Sequence, residues 1–513
     1  MIDVLFINSG NATAVYQDLA KDYSAIEPPT WALLLAQSCR SIGKTVDILD
    51  VNAERLNIEQ SYERIKQSNA RLLCFVVYGQ NVNAGTVGMG GAVSLSKYIK
   101  SQNNTTPIAY IGSYVQSLPK KTLLEEKSID IVFTNEGVYA LRNLLSQSTI
   151  DINNLDNIKG IGWRKNNFPV LNPPEFVVPQ EKMDIDLPGY AWDLLPYKER
   201  PLDLYRSPMW HAEYDHTKRS PYAALQTSLG CKFGCDFCMI NIINRNDNEE
   251  IGVASNYSLM RYWSPEFIIN EFDKLVKMGV ETIRIVDEMF LLNKKYYIPL
   301  CTMLKERGYG KFLRMWAYSR IDTVSNPELL KLVRAAGIKW LCLGIESGDR
   351  NVRLEVSKGK FQDVDIQKVV QHIHDSDIEI MANYIFGLPG DTYESMQKTL
   401  DLSKELCTVG WNAYAAMALP GSKLYKDAVD RGIPIPKTYD GFSFHSYDTL
   451  PLPTEHLTAA QILKFRDNAF SEYHSDPKVV DRIYKKFGQV AVDNINNMLR
   501  VTLKRKIIEE SNL

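Results

Sequence analysis

The first part of the chain alternates short apolar runs with amphipathic stretches, which predicts strands and helices in turn. Five such βα units favour a flavodoxin-like or Rossmann-like α/β domain over residues 1–145, with strand order 2-1-3-4-5 and a ligand over the carboxyl ends of the strands. No Gly-x-Gly-x-x-Gly follows the first strand, which argues against a dinucleotide. The predicted strands are Val4–Asn8, Val46–Asp50, Leu72–Tyr78, Ile108–Gly112 and Ile129–Thr134, and the predicted helices are Pro29–Ile42, Ile58–Ser68, Gly88–Ser101 and Val138–Ser146.

Over residues 221–431 the alternation repeats six times, which predicts an open, partial (β/α)6 barrel with its active site at the carboxyl ends of the strands. Polar residues fall there: Asp287 and Glu288 after the second strand, Ser319 and Arg320 after the third, and Glu346 after the fourth. A barrel with a purely structural role does not need carboxylates at neighbouring strand ends. The pattern therefore favours an active site over polar residues that only face solvent. The predicted strands are Ala223–Ser228, Thr282–Val286, Leu313–Tyr318, Trp340–Gly344, Ile378–Phe386 and Ala413–Ala418.

Two further segments have a different character. Residues 146–220 are rich in Asn, Asp and Pro, which is typical of a linker. Residues 432–513 are predicted to be helical, with an aromatic loop that closes the barrel mouth and shapes a substrate pocket. The candidate substrate contacts are His211, Tyr214, His445 and Tyr447, and solvated loop positions are the competing interpretation.

Composition limits the function classes. The chain has 513 residues and a formal net charge of −2, which argues against a broad nucleic-acid surface. No apolar run reaches the ~18 residues that a membrane span needs, and the amino terminus starts as a strand without a basic signal region. Eight cysteines do not make a disulfide scaffold in a chain of this length, so a reducing cytoplasm is expected.

Three of the cysteines lie within eight residues, as Cys231-x-x-x-Cys235-x-x-Cys238, directly after a predicted strand. A loop of this kind can bring three thiolates to one inorganic centre, and Gly230 and Gly234 permit the tight turns. Three ligands with an open fourth position suit an iron–sulfur cluster that binds substrate at one iron. Structural zinc usually takes four ligands, and no second Cys or His pair lies nearby. A three-cysteine zinc knuckle or idle thiols are the alternatives.

The cysteine motif, with Phe237 before the last cysteine, resembles the signature of the radical S-adenosylmethionine (SAM) enzymes. The resemblance implies a [4Fe–4S] cluster on Cys231, Cys235 and Cys238, whose open iron binds SAM and cleaves it reductively to a 5′-deoxyadenosyl radical. It also implies an electron donor of the reductase or flavodoxin type. The residues at SAM-contact positions of the family are Asp287, Glu288, Ser319, Arg320, Glu346, Tyr384, Phe386 and Gly387. The resemblance implies Glu288 at the SAM amino group, Arg320 at the SAM carboxylate or ribose, and backbone contacts from Tyr384 to Phe386.

The amino-terminal domain resembles the cobalamin-binding domain that is fused to one large class of radical SAM enzymes. The matching segments are 28–31, 43–50, 107–113, 118–119 and 130–137. Gly112-Ser113 stands where that family usually has a glycine pair. The residues implied as cobalamin contacts are Tyr78, Gln80, Asn81, Asn83, Thr86, Gly112, Ser113, Glu136 and Gly137, with the loop from Tyr78 to Asn83 expected at the lower face of the corrin.

Histidine is absent from the chain before His211, so the amino-terminal domain cannot supply a lower histidine ligand to cobalt. This matches the methylating class of the resembled family, in which a weak or missing lower ligand favours methyl transfer. The expected activity is therefore cobalamin-dependent methylation of an unactivated carbon of a small molecule. The rivals are a rearrangement, cyclisation or ring contraction with the same cofactors, a tRNA-modifying methylthio-type enzyme, and a cobalamin or SAM sensor. The substrate and the oligomeric state stay open.

Overall fold

The computed structural model describes residues 2–10, 12–78, 84–202, 204–207, 221–324, 326–355 and 361–511. Within these residues, seven strands form an amino-terminal sheet in the order β2-β1-β3-β4-β5-β6-β7. Strands β1 to β5 are parallel and agree with the predicted order 2-1-3-4-5. Their bounds are β1 Val4–Asn8, β2 Val46–Asp50, β3 Leu73–Val77, β4 Ile108–Gly112, β5 Ile131–Phe133, β6 Ile161–Lys165 and β7 Phe168–Leu171.

Helices cover both faces of this sheet, which explains why the central strands β3 and β4 are apolar and buried along their whole length. Gly88 packs against β3, because a Cβ there would lie 3.1 Å from Cγ1 of Val77. The helices are α1 Ala12–Tyr16, α2 Leu19–Asp22, α3 Thr30–Arg40, α4 Val51–Glu54, α5 Ile58–Ser68, α6 Gly85–Ser101, α7 Ser113–Ser117, α8 Pro119–Glu125 and α9 Val138–Ser146.

The sheet extends past the boundary expected at residue 145. Strand β6 pairs antiparallel with β5, and β7 pairs with β6, so part of the predicted linker belongs to the amino-terminal domain. The hairpin covers the backbone edge that β5 would otherwise leave unpaired. Alternation of helix and strand cannot reveal such an antiparallel addition. The rest of the connector contains one short α-helix, α10 Met183–Asp186.

Six parallel strands form a second, curled sheet in the order β15-β14-β13-β12-β11-β8 within the described chain, as an open half-barrel. An unpredicted hairpin, β9 with β10, carries the first cysteine. The strands are β8 Tyr222–Leu225, β9 Ser228–Cys231, β10 Leu259–Tyr262, β11 Thr282–Ile285, β12 Arg314–Arg320, β13 Ile338–Glu346, β14 Glu379–Phe386 and β15 Gly410–Ala415.

Helices of the barrel pack outside this sheet, and four more follow it. Ser264 caps α11, because its Oγ accepts a hydrogen bond from the Phe267 amide while Pro265 opens the helix. No helix in the described part of the chain is long and apolar enough to span a membrane. The helices are α11 Pro265–Lys277, α12 Lys294–Glu306, α13 Pro327–Ala335, α14 Arg350–Glu355, α15 Ile366–Asp375, α16 Tyr393–Leu406, α17 Lys423–Asp430, α18 Ala459–His474, α19 Pro477–Phe487, α20 Gln489–Leu499 and α21 Lys506–Glu510.

The amino-terminal domain closes part of the open side of the half-barrel. Glu27 reaches the edge strand β8, where its carboxylate accepts a hydrogen bond of 2.5 Å from the Tyr222 hydroxyl and one of 2.7 Å from Arg284 Nη1. The opposite edge, β15, is covered by Arg466 of α18, whose Nε donates to the Ala413 carbonyl at 2.8 Å. These contacts satisfy backbone and side-chain groups that an open sheet would expose.

Candidate active site

The three motif cysteines line one large cavity of about 690 Å³. The cavity begins at the cluster loop, the stretch from Cys231 to Cys238, and continues into the half-barrel. Cys231 is 6% exposed, and the amide of Phe233 donates to its sulfur at 3.5 Å. The loop therefore presents its thiols to the cavity.

Local sequence explains the shape of the cluster loop. Gly230 has a φ of +80°, and a Cβ there would lie 2.1 Å from the Leu259 carbonyl oxygen, so only glycine fits. Gly234 differs from expectation, since its contact with Ser255 is close but its φ is not positive. Asn241 holds the loop by accepting from the Cys231 amide at 2.7 Å and donating to the Phe233 carbonyl at 3.0 Å.

Burial favours the protonated form of two of the motif thiols. It raises the pKa of the Cys231 and Cys235 thiols to about 12. A metal centre that binds them as thiolates must therefore displace their protons. Among the described residues, no group of three or more His, Cys, Asp or Glu side chains is arranged to hold a single metal ion.

Asp287 holds the cluster strand rather than facing the cavity. Its carboxylate accepts hydrogen bonds from the Thr227 amide at 2.6 Å, the Thr227 hydroxyl at 2.7 Å and the Ser228 hydroxyl at 2.5 Å. Burial raises the pKa of Asp287 to about 6 despite these donors. The SAM contact expected of Asp287 is therefore replaced by a positioning role, since its oxygens are already bonded to the strand that leads to Cys231.

Glu288 and Glu346 are the two carboxylates that reach the cavity from the strand ends. Burial raises the pKa of each carboxyl group to about 7, because a buried carboxylate loses the hydration of its charge. A cation that enters the cavity would offset this cost, and each ionised carboxylate would then be a strong hydrogen-bond acceptor. Glu346 has a φ of +65°, which is unusual outside glycine. Gly344 makes room for it, because a Cβ on Gly344 would lie 2.4 Å from Oε1 of Glu346.

A methyl group at Gly344 should displace this carboxylate. We expect Gly344→Ala to weaken SAM binding about tenfold, equivalent to about 1.4 kcal/mol, as measured by calorimetry on anaerobic protein. Gly390→Ala is the matched control, because its added Cβ meets nothing closer than Oε2 of Glu355 at 3.4 Å. Equal SAM affinities in the two variants would contradict the role of Gly344.

Ser319 and Arg320 also line the cavity, as expected from the end of β12. The Arg320 guanidinium lies between two rings, 3.9 Å from the centroid of Phe233 and 4.5 Å from that of Phe361. Its Nε and Nη2 donate to Asp322 at 2.6 and 2.7 Å. Stacking and pairing fix this cation beside the cluster loop.

Side chains alternate along strand β14, and those of Tyr384 and Phe386, whose backbone the resemblance implies as a SAM contact, lie on its outer face. Tyr384 packs against Trp411 and Phe386 against Phe465, and neither lines the cavity. The Gly387 amide donates to Asp391 at 2.9 Å, and the Phe386 carbonyl accepts from Ala416 at 2.8 Å. Because side chains alternate along a strand, Asn383 and Ile385 occupy the cavity instead.

Comparison with known proteins agrees with this geometry. The model of the radical SAM superfamily matches residues 225–403, which include the cluster loop and strands β11 to β14. The chain carries a radical SAM domain. Such a domain implies a [4Fe–4S] cluster and SAM as cofactors. The three cysteines therefore lie within the matched radical SAM domain.

Similar proteins extend over both parts of the chain. An uncharacterized methyltransferase of Pyrococcus horikoshii is 25% identical over 483 residues, which are 92% of this chain and 94% of that protein. The anaerobic magnesium-protoporphyrin IX monomethyl ester cyclase of Cereibacter sphaeroides is 20% identical, over 87% of this chain and 67% of its own. The structure of the radical SAM methyltransferase TsrM from Kitasatospora setae, with cobalamin and a [4Fe–4S] cluster bound, has a TM-score of 0.59 at 15% identity, over 83% of this chain and 78% of TsrM. The last similarity shows a shared fold.

The amino-terminal domain reaches the same cavity through Ala84 and Val87, at the start of α6. The buried hydroxyls of Thr86 and Ser113 lie at this end of the sheet, and neither has a hydrogen-bond partner among the described residues. Gly112 permits close packing there, because a Cβ would lie 2.1 Å from the Val77 carbonyl oxygen. This edge of the sheet thus faces the radical SAM domain and carries unsatisfied polar groups.

Three other predicted cobalamin contacts have structural roles. Glu136 is 1% exposed, and its Oε2 forms an ion pair of 2.6 Å with Arg261 of the radical SAM domain. Gly137, with a φ of +78°, precedes α9. The Tyr78 hydroxyl is buried against Gln116. Gln80, Asn81 and Asn83 lie outside the described residues.

The predicted substrate contacts separate into three groups. His445 lines the cavity, and its ring lies 5.5 Å from that of Tyr16. Tyr447 does not: its side chain is on the surface, 42% exposed, and its hydroxyl donates to Glu509 at 2.9 Å. A two-residue step along a loop separates the two environments. His211 and Tyr214 lie outside the described residues.

Several cavity residues escaped the sequence analysis. Arg284, Trp316 and Tyr318 lie in the middle of their strands, whereas the search for polar strand ends found only the final positions. Tyr16 and Arg466 come from the amino-terminal domain and from α18, which lie far from the motif in sequence. The alternation of side chains along β11 and β12 could have indicated Arg284, Trp316 and Tyr318. No sequence signal connects Tyr16 and Arg466 to the site.

Proposed function

We propose that the protein is a cobalamin-dependent radical SAM methyltransferase that methylates an unactivated carbon of a small molecule. The observation that carries this proposal is the shared cavity, in which Cys231, Cys235 and Cys238 face the start of α6 at the carboxyl edge of the amino-terminal sheet. When bound, the cluster with SAM would supply hydrogen abstraction from carbon, and cobalamin would supply the methyl group. The similarities to proteins named as methyltransferases support this assignment.

The residues at the sheet edge fit a polar ligand such as cobalamin. Buried oxygens of Ser9, Thr86 and Ser113 have no partner among the described residues. Ser9 and Ser113 directly follow β1 and β4, and Thr86 lies in the first turn of α6, the helix after β3. A buried polar group without a partner costs roughly 1–3 kcal/mol. A ligand that hydrogen-bonds these oxygens would remove that cost. The amino-terminal domain contains no histidine that could bind the lower face of cobalt. This feature is compatible with methyl transfer.

The chain's own residues would orient the reactants and exclude water. Glu288 and Glu346 offer carboxylates to the amino group of SAM beside the cluster loop. Phe237, Met417 and Leu419 line the neighbouring wall and keep it apolar. Asp287 keeps the cluster strand in place through its three hydrogen bonds. The protein thus supplies position and a dry environment, and the cofactors supply the chemistry.

Anaerobic purification with cobalamin supplied, followed by metal analysis and an absorption spectrum, tests the cofactor content. We expect about four irons and one cobalt per chain. Iron without cobalt would exclude methyl transfer from cobalamin and would reduce the amino-terminal domain to a regulatory or substrate-binding module. Neither metal, under conditions that load a known radical SAM enzyme, would overturn the proposal as a whole.

The hydroxyl of Thr86 provides a separate test that does not depend on activity. In cofactor-free protein, Thr86→Val should leave the free energy of unfolding unchanged or raise it, because the variant removes an unsatisfied buried hydroxyl. The same variant should weaken cobalamin binding, measured by titration at the corrin absorption band.

Thr122→Val is the matched control, since the Thr122 hydroxyl donates to the Leu118 carbonyl at 2.8 Å. This variant should lower the free energy of unfolding by about 1 kcal/mol and leave cobalamin affinity unchanged. If Thr86→Val destabilised the cofactor-free protein and retained full cobalamin affinity, the proposed contact would be wrong.

A second candidate function uses the same cofactors for a rearrangement, cyclisation or ring contraction without methyl transfer. The similarity to a cyclase over 87% of this chain supports this second candidate function. Product mass separates the two functions, because methylation adds one methylene unit and a rearrangement adds none. Both functions would need a reductase or flavodoxin-type electron donor, which we propose as the protein partner.

A further inference from the structure

The cavity extends beyond the cofactor region into a part that we call the side chamber. It is lined by Tyr16 and Leu19 from the amino-terminal domain, by Trp411 and Arg466, and by Leu499 at the end of α20 with residues 501–503 after it. Most of its walls are apolar or aromatic, including Phe442, Phe444, Phe470, Met498 and Leu503. The side chamber lies beside the edge of β15, where Arg466 covers the Ala413 carbonyl.

One positive charge in the side chamber is not balanced. Arg466 Nη1 donates to Asp467 at 2.9 Å, and Arg505 donates to both oxygens of the same carboxylate at 2.9 and 3.0 Å. Among the described residues, Asp467 is the only carboxylate paired with either guanidinium. Arg505 is further held by the carbonyls of Phe444 and Ser446. Two cations therefore share one anion inside the protein.

Arg284, the other cation of this region, is already neutralised. Its Nη1 lies 2.7 Å from Oε1 of Glu27, and its guanidinium stacks at 4.9 Å from the centroid of Trp316. The nearby histidines carry no charge at neutral pH. Burial, assisted by Arg466, lowers the pKa of His445 to about 3, and burial lowers that of His474 to about 4. The unbalanced charge thus belongs to the Arg466 cluster.

Two donors at this place have no protein acceptor. Arg466 is 6% exposed, and in the described part of the chain no acceptor pairs with its Nη2. Trp411 is 2% exposed, lines the cavity, and has an Nε1 without a partner among the described residues. Both side chains pack on the Phe470 ring, at 5.4 and 6.0 Å from its centroid. A fully buried donor such as Trp411 Nε1 is costly unless a ligand accepts from it.

We propose that Arg466 and Trp411 form a subsite for one anionic group, of carboxylate type, on an otherwise apolar or aromatic substrate. The inference deepens the proposed function and rests on it, because it names the substrate class of the same cavity. A carboxylate would balance the second guanidinium and accept from both donors. A substrate with several charges does not fit, since the surrounding walls could not compensate them.

A pair of probes that differ only in charge tests the subsite in the anaerobic holoenzyme. The probes are 1-naphthaleneacetate and 1-naphthaleneacetamide, and calorimetry measures their dissociation constants at about pH 7.5, where the carboxylate is ionised. We expect the acid to bind about tenfold more tightly than the amide. Equal affinities would overturn the subsite, and this comparison requires no variant.

Arg466→Gln should reduce the preference for the acid to within about twofold. Arg482→Gln is the charge-matched control, because Arg482 lies on α19, outside the cavity lining, and pairs with Glu379 at 3.5 Å. This control should keep the full preference. A preference that persists in folded Arg466→Gln protein would place the anion elsewhere and overturn the assignment.

SAM cleavage to 5′-deoxyadenosine by the same reduced preparation reports on the proposed function independently. Cleavage without any acid preference overturns the subsite alone. An acid preference without cleavage overturns the proposed function and supports an anion subsite at Arg466.

Discussion

Replacing Cys235 by alanine should abolish both the iron–sulfur cluster and SAM cleavage. We expect this result because the three thiols of the loop share one cavity, and a cluster that leaves one iron open depends on all three thiolate ligands. The measurements are iron content, the absorption band of the cluster, and 5′-deoxyadenosine formed under reducing, anaerobic conditions. Activity should fall below detection, since the cluster is the electron source for cleavage.

Cys407→Ala is the control for this prediction. Cys407 ends α16, is half-buried, and does not line the cavity. Alanine keeps its Cβ, so the backbone with φ of +46° is affected little. The control should retain the cluster and full cleavage. Cleavage retained in Cys235→Ala, or a cluster lost in Cys407→Ala, would contradict the assignment of the three ligands.

Replacing Glu136 by glutamine should strongly destabilise the junction between the two domains. Arg261 would then be a buried cation without its counter-ion, since both side chains of the pair are at most 2% exposed. Breaking a buried ion pair from one side costs about 3–5 kcal/mol. The free energy of unfolding from denaturant titration of cofactor-free protein measures this loss.

Glu328→Gln is the matched control, because Glu328 pairs with Lys331 on an exposed helix surface at 2.9 Å. It should change the free energy of unfolding by less than about 1 kcal/mol. The double variant Glu136→Met with Arg261→Met should recover much of the lost stability, since it removes both charges. If Glu136→Gln instead kept full stability and lost cobalamin affinity, Glu136 would be a cofactor contact, as the sequence resemblance implied.

The sequence was most informative where function depends on a short, local pattern. The cysteine spacing placed Cys231, Cys235 and Cys238 correctly on a loop that enters the cavity. Strand ends also identified Glu288, Ser319, Arg320 and Glu346, because parallel strands bring their carboxyl ends to one edge. The alternation of apolar and amphipathic stretches gave the strand order 2-1-3-4-5 of the first sheet.

Sequence was less informative about the direction in which a side chain points. Asp287 and Glu288 are neighbours, yet the first holds Thr227 and the second faces the cavity. Along β14, the side chains of Asn383 and Ile385 line the cavity while those of Tyr384 and Phe386 point away from it, because a pleated strand turns alternate residues to opposite faces. Which face becomes the cavity depends on the curl of the whole sheet.

The chain by itself therefore determined the chemistry of the centre: three thiols at fixed spacing, carboxylates at strand ends, and no histidine before residue 211. Only the tertiary structure decided what surrounds that centre. Glu27 and Tyr16 reach the half-barrel from the amino-terminal domain, while Arg466 and Arg505 share Asp467 near the other end of the chain. The contact of Glu27 with Arg284 joins residues 257 positions apart, and such contacts form because an open half-barrel must cover its edges with other parts of the chain.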